Sequence, residues 1–285
     1  MSSRLGSVPA GTVRCPHTEG AIAIRPPPQA PEYRHRPRCE RQRSSSNLTT
    51  QNRLLLQLPK RDLAAIIAVA EQVELHVGDV LVDATVPLSH AYFPDSGLAS
   101  FVAVMEDGSM VEAATAGRDG FVGMPLLYGS THSRSRVIWQ VPGSAHRILP
   151  EAFVALELEG RFGNVLAHFQ QDLLDQMSQV AGCNRRHAIV HRAARWLLMT
   201  HDRVDGEEFF LTQEFLATML GAERPKVTLA AQQLRQAGLI WYRRSFIRVM
   251  DRAGLEAASC ACYPVIAAAY PGQGPSRGGG TEATG

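Results

Sequence analysis

Leu211-Thr212-Gln213-Glu214-Phe215-Leu216-Ala217-Thr218-Met219-Leu220-Gly221, continued by Ala222 to Gln236, is the stretch whose reading decides the fold. Its first half predicts a short helix. Thr212 is placed as N-cap, where a hydroxyl oxygen can accept one of the unpaired first-turn N–H groups. Gly221 is placed as terminator, because glycine enters the left-handed region at little steric cost. A second helix then restarts, with Pro225 in its first turn, where a missing N–H costs little. Val227, Ala230, Ala231 and Leu234 fall on its inner face, and Arg224, Lys226, Thr228, Gln232 and Arg235 on its outer face. Gly238 ends it. Leu239 to Tyr242 and Phe246 to Val249 then predict a β-hairpin around Arg243-Arg244-Ser245. Helix, tight turn, helix, hairpin is the pattern of a winged helix-turn-helix.

Charge points the same way. From Arg224 to Met250 there are six basic residues and no acid, although the formal net charge of the 285-residue chain is only +2. One sign gathered on an outer helix and hairpin is the footprint of phosphate binding, so double-stranded DNA is the expected partner.

Upstream of this stretch, residues 187–204 predict an amphipathic helix with Ile189, Ala193, Trp196, Leu197 and Thr200 on its apolar side. Before it, Phe162, Leu166, Phe169, Leu173, Gln176 and Val180 recur at alternating steps of four and three residues. That is coiled-coil spacing, and it fits either a dimer seam or a helix packed on its own domain. Its length and its place between two domains favour the seam, so Phe162, Leu166, Phe169, Leu173 and Val180 are expected to face a second copy. Gln176 would fix the register. Between Val73 and Leu149, short apolar runs are broken by Gly78-Asp79, Pro94-Asp95-Ser96-Gly97, Glu106-Asp107-Gly108 and Pro142-Gly143. Such punctuation suits a β-sandwich or barrel. Residues 47–150 carry seven basic against ten acidic side chains, so this part has no nucleic-acid footprint of its own.

The termini differ in composition. Residues 1–46 hold seven of the 17 prolines and eight arginines against three acids, which predicts a disordered basic arm. The glycine- and proline-rich stretch from Pro271 also reads as unstructured. The expected organisation is α+β: an arm over 1–46, a sensory β-domain over 47–150, a dimerisation helix over 151–186, a winged helix-turn-helix over 187–263 and a tail over 264–285. No apolar run approaches the roughly 20 residues that span a bilayer, and no signal-peptide core stands near the start. A soluble, cytoplasmic protein without a membrane partner is expected.

This order of parts resembles the Crp/Fnr family of bacterial transcription regulators, over roughly Leu54 to Tyr263. The resemblance implies an N-terminal cyclic-nucleotide-binding-type jelly roll, a long dimer helix and a C-terminal winged helix. It also implies a homodimer, an effector and contact with RNA polymerase. Phe121-Val122-Gly123-Met124-Pro125-Leu126-Leu127, followed by Ser133-Arg134-Ser135-Arg136, is similar to the family's phosphate-binding cassette. The implied effector pocket is therefore Gly123, Met124, Arg134 and Ser135. Met124 stands where cyclic-AMP-binding members carry a glutamate that accepts from the ribose, and Arg136 stands where a small residue follows the Arg-Ser pair. Cyclic AMP is accordingly not expected, and the effector is an unknown small molecule. In the reading helix, Arg224 matches the family's first base-contacting arginine, which can donate bidentately to guanine. Pro225 and Leu229 replace later contact residues, and Lys226 and Thr228 are its neighbours. Thr212, Gln213, Arg243 and Arg244 are expected on phosphates, which position a protein without specifying sequence.

Other chemistry is not expected. Cys15 and Cys39 alone in the arm, with no cysteine from Asn47 to Gly182, do not supply the family's iron–sulfur ligands. Cys183, His187 and His191 share one helical face, but a straight helix cannot easily wrap three ligands over two turns around one ion. Cys260-Ala261-Cys262 lacks zinc-knuckle spacing and reads as small-residue packing, so no metal is expected. No nucleophile elbow, P-loop, dinucleotide fingerprint or zincin motif is present, so no enzyme is expected. The other class of function compatible with these residues is a cyclic-nucleotide or small-anion receptor whose main output is not transcription.

Overall fold

The turn glycines and alternating apolar runs of the N-terminal half fold into two antiparallel sheets closed by helices. The structure is a computed structural model and describes residues 49–156, 160–243 and 245–270. The basic arm expected over 1–46 and the stretch from Pro271 lie outside the described residues.

A 3-10 turn (Leu55–Gln57) and α1 (Lys60–Val69) precede β1 (Glu71–Leu75), β2 (Val80–Val82), β3 (Ala91–Pro94), β4 (Leu98–Val104) and β5 (Met110–Ala116). After a second 3-10 turn, Met124–Tyr128, come β6 (Arg136–Val141) and β7 (Gly143–Ile148). The strand orders are β1-β7-β3 and β2-β6-β4-β5, all antiparallel, with β5 at an edge. Phe101 of β4 stands opposite Ala114 of β5 and Val137 of β6, which fixes which faces turn inward.

Helix α2 (Pro150–Ala155) leads to the 26-residue α3 (Arg161–Arg186). The heptad stripe of α3 is buried, but against its own domain. Phe162 lies 6.2 Å from Phe93, and Phe169 lies 5.6 Å from Phe121, within an aromatic cluster that includes Phe153. Leu166 and Leu173 are buried beside them, as is Val180 further along the helix. The expected dimer seam is corrected on this point: these five side chains are occupied within one chain. Heptad spacing specifies a covered stripe, and here the aromatic floor of the β-domain supplies the cover. Burial of each such Phe or Leu contributes roughly 1.5–3 kcal/mol, which a partner chain would have to displace. Gln176, expected to set dimer register, instead serves the edge strand. Its Oε1 accepts the Thr115 N–H at 2.6 Å, and its Nε2 donates to the Thr115 carbonyl at 3.3 Å and to the Tyr270 hydroxyl at 2.8 Å. A buried edge peptide group without such a partner would be costly.

Helix α3 ends before His187, where the backbone is extended, and the chain continues as α4 (Ile189–His201), β8 (Glu208–Phe210), α5 (Gln213–Leu220), α6 (Arg224–Gln236), β9 (Ile240–Arg243), β10 (Phe246–Val249), α7 (Arg252–Ala258) and α8 (Cys262–Ala268). Every residue of α4 from Arg192 to Thr200 is buried, because the helix is packed by α5, α6, α7 and α8. The tail expected from residue 264 is also corrected: α8 runs to Ala268 and packs on α3, and Tyr270 is buried over Arg203.

Candidate nucleic-acid interface

The local chemistry of residues 211–250 builds the expected motif. The Thr212 hydroxyl accepts the Phe215 N–H at 3.0 Å, and Gly221 closes α5 at φ 54°. Glu223 occupies the N-cap position of α6 without a side-chain capping bond, and Pro225 sits in the first turn. Val227, Ala230, Ala231 and Leu234 are buried, while Arg224, Pro225, Lys226 and Leu229 stand in solvent. Strand β8, which the sequence did not signal, pairs with β10, so the wing is a three-stranded sheet in the order β8-β10-β9. Ser245 takes φ 71° at the tip, and Arg244 lies outside the described residues.

These elements bring several of the candidate side chains onto one surface. The Thr228 hydroxyl donates to Gln213 Oε1 at 2.8 Å, which ties the two helices of the motif together. Tyr242 of β9 has its phenol pushed up by burial, opposed by a hydrogen bond from the Gln213 backbone and by the charge of Arg224. The start of α5, the start of α6 and the wing strand therefore meet, with Arg243 exposed one residue further along β9. Gln213 and Thr228, read from sequence as outward contacts, are half-buried and engaged with each other. Lys226 pairs with Glu223 at 3.1 Å in solvent, a contact that contributes little net stability. Arg248 pairs with Glu208 at 2.7 Å and lies over Trp241. Among the described residues, no carboxylate pairs with Arg224, Arg235 or Arg243.

The second candidate site is a cleft of about 190 Å³ between the β-domain and α3. Gly123, Met124 and Ser135 line it, as the cassette reading expects, together with Ser133, Phe101 and Val137. Gly123 takes φ 137° close against Ala91, a place where a Cβ would meet the Ala91 methyl at 3.0 Å. Helix α3 contributes Gln170, Leu173, Leu174 and Met177 to the opposite wall. Arg134 does not line the cleft; it is exposed, and its inclusion in the effector pocket is corrected. Arg136 is turned away to Asp83 at 2.6 Å. Among the described residues, the lining holds no charged side chain.

A third constellation was missed from sequence. Glu112 of β5 is buried where the β-domain meets the reading domain. Its Oε2 accepts from Ser100 at 2.6 Å and from Gln140 at 3.2 Å, and its Oε1 accepts the Trp196 indole N–H at 2.9 Å. Burial, the largest influence, pushes its carboxyl up to about 7, although these hydrogen bonds and the charge of Arg195 pull it down. Nearby, Gly221 faces Val111, and the Arg192 guanidinium donates to the Leu220 carbonyl. A second lock is the buried pair of Arg203 and Asp119 at 2.9 Å. A lone glutamate in an alternating strand gives no sign of which domain will cover it.

The His187–His191 alignment does not survive folding. α3 ends at Arg186, His187 is extended at its C-terminus, and His191 is on α4 with its Nδ1 2.7 Å from the Ala258 carbonyl. Cys260 and Cys262, read as packing, instead approach Cys183 and His187.

Residues 191–258 match the model of the Crp-like helix-turn-helix domain. Among solved structures, the chain is similar to FixK2 from Bradyrhizobium japonicum at 18% identity and TM-score 0.57, over 68% of this chain and 98% of that one. It is similar to a CRP-family transcriptional regulator from Thermus thermophilus at 16% identity and TM-score 0.56, over 66% and 96%. A third likeness, at 16% identity and TM-score 0.54 over 67% and 99%, is to CLP, the c-di-GMP-responsive global regulator from Xanthomonas campestris. Among curated proteins, no sequence matches. No helix among the described residues is long and apolar enough to cross a membrane.

Proposed function

We propose that this chain, a Crp/Fnr-type transcription regulator by its helix-turn-helix domain and its fold, is a cytoplasmic homodimer that reads duplex DNA with α6 under control of a small effector. Proteins of this type bind DNA and are not enzymes. The observation that carries the reading is the exposed first turn of α6. There Arg224 stands without a carboxylate partner among the described residues, within electrostatic reach of Tyr242 on wing strand β9. Arg224 is the base reader. Pro225 and Lys226 flank it, Thr212, Arg243 and Arg244 approach phosphates, and Gln213 with Thr228 holds the two helices in register.

The partner-facing surface is the outer side of α3. Ala167, Leu174 and Ala181 recur every seven residues there, and Leu174 is 50% exposed. Gln170 and Met177 complete the stripe at the intervening positions, and with Leu174 they also line the cleft. A ligand in the cleft thus touches side chains that a second copy would touch. It can shift the dimer only if it binds two dimer geometries with different affinity. The two reading helices must reach major grooves about 34 Å apart. The cleft's apolar walls and lack of charge favour a small, largely apolar organic effector over a cyclic phosphate. Contact with RNA polymerase would follow from this mode of action.

The test is fluorescence anisotropy of the full chain on fragments selected from random duplexes, at several salt concentrations. Saturable, sequence-selective binding that weakens steeply with salt is expected. Absence of binding to any duplex at low salt overturns the reading.

A further inference from the structure

Two helices and two interhelical junctions bring four metal-ligand side chains to one point. Cys183 comes from the last turn of α3, His187 from the break after it, Cys260 from the α7–α8 junction and Cys262 from the start of α8. Their donor atoms all lie within 4.8 Å of one another. Cys183 Sγ is 3.5 Å from Cys260 Sγ, and Cys262 Sγ is 3.4 Å from His187 Nδ1. Tetrahedral zinc, with Zn–S of about 2.3 Å and Zn–N of about 2.0–2.1 Å, sets S–S edges at roughly 3.8 Å and S–N edges at roughly 3.6 Å. Both distances match within a few tenths of an ångström.

We propose that Cys183, His187, Cys260 and Cys262 form a closed, structural zinc site that staples the end of the long helix to the C-terminal helices of the reading domain. The three cysteines are buried and form a small cluster of their own beside the main apolar core. Soft thiolates with one imidazole select zinc over harder cations, and four protein ligands leave no open position for substrate. Three thiolates and a neutral imidazole around Zn²⁺ carry one net negative charge. The buried Arg195 guanidinium lies within electrostatic reach of Cys183 and Cys260 and offsets it. Gln179 Nε2 donates to Cys262 Sγ at 3.1 Å, an outer-shell bond of the kind that orients ligands. Binding releases the thiol protons to solvent, and no electron is transferred. The ion spans the α3–α4 break and so fixes the angle between the long helix and the reading domain.

The experiment is metal analysis of the full chain, grown with zinc and purified without chelator or histidine tag. Cys15 and Cys39 are replaced by serine so that only the three candidate thiols remain. About one zinc per chain is expected. Cobalt in its place should give thiolate-to-metal charge transfer and the strong visible bands of a tetrahedral centre. Cys260→Ser and Cys262→Ser should each lower zinc affinity at least tenfold, whereas His187→Cys retains the ion. Should either serine variant fail to fold, chelator titration of the parent chain replaces it: melting temperature should fall on stripping and return with zinc. Zinc below a tenth of an equivalent, thiols that alkylate equally fast with and without zinc, or a Cys183–Cys260 disulfide under reducing purification would each overturn the proposal. None of these readouts depends on DNA binding, so they stand apart from the function proposed above.

Discussion

The indole N–H of Trp196 reaches out of the reading domain to Glu112 on the edge strand of the β-domain, at 2.9 Å. This bond places an ionisable group in the contact between the two halves of the chain. Its carboxyl titrates near 7 in the folded state against an ordinary value of 4.5, with burial as the main cause. Between those two values the folded state holds more protons than the unfolded one, so stability falls as pH rises through this window. The burden is complete above about 7, absent below about 4.5, and on the order of 3 kcal/mol at most. Glu112→Gln should therefore flatten the pH dependence of denaturant unfolding between pH 5 and pH 8. Equal slopes for parent and variant would show that another group titrates.

Gly221 does two things at once. It holds φ 54°, and a Cβ there would meet the Val111 side chain at 3.0 Å. Gly221→Ala should cost about 1–2 kcal/mol from the left-handed backbone, plus a packing contribution. Val111→Ala in the same chain should recover the packing part and leave the backbone part. Thermal unfolding of the two single variants and the double variant separates them.

Arg224→Ala should weaken binding to a selected duplex by about 1–3 kcal/mol and leave non-specific duplex nearly untouched. Lys226→Ala, whose ammonium already has Glu223 beside it, should weaken both kinds of DNA alike and slightly. Competition titrations at fixed salt measure the two effects. Equal losses on both duplexes for Arg224→Ala would remove it from base reading.

The two faces of α3 should respond differently. Leu166→Ala, on the inner face, should cost about 2–5 kcal/mol of stability. Leu174→Arg, on the outer face, should leave the melting temperature near that of the parent and shift sedimentation from dimer to monomer. A dimer that tolerates arginine at this position would move the interface elsewhere.

The helix-turn-helix was legible because its signals are local. A threonine cap, a left-handed glycine, a first-turn proline and an inward apolar stripe each act within a few residues. The β-domain was legible from turn punctuation. The inward turn of the α3 stripe was not, since spacing reveals that Phe162 and Phe169 are covered and not that Phe93 and Phe121 cover them. The same limit hid Glu112, whose partner Trp196 lies on the other domain, and Cys260 and Cys262. Their meeting with Cys183 depends on how α8 folds back along α3. Arg134 was misplaced for a related reason: motif position does not say whether a loop side chain points into the cleft or out of it.

The amide of Gln176 joins Thr115 on the β-domain edge to the phenol of Tyr270, the last described residue. Trimming the polypeptide ahead of Tyr270, or fusing a bulky reporter just behind it, should therefore be felt at the margin of the β-domain.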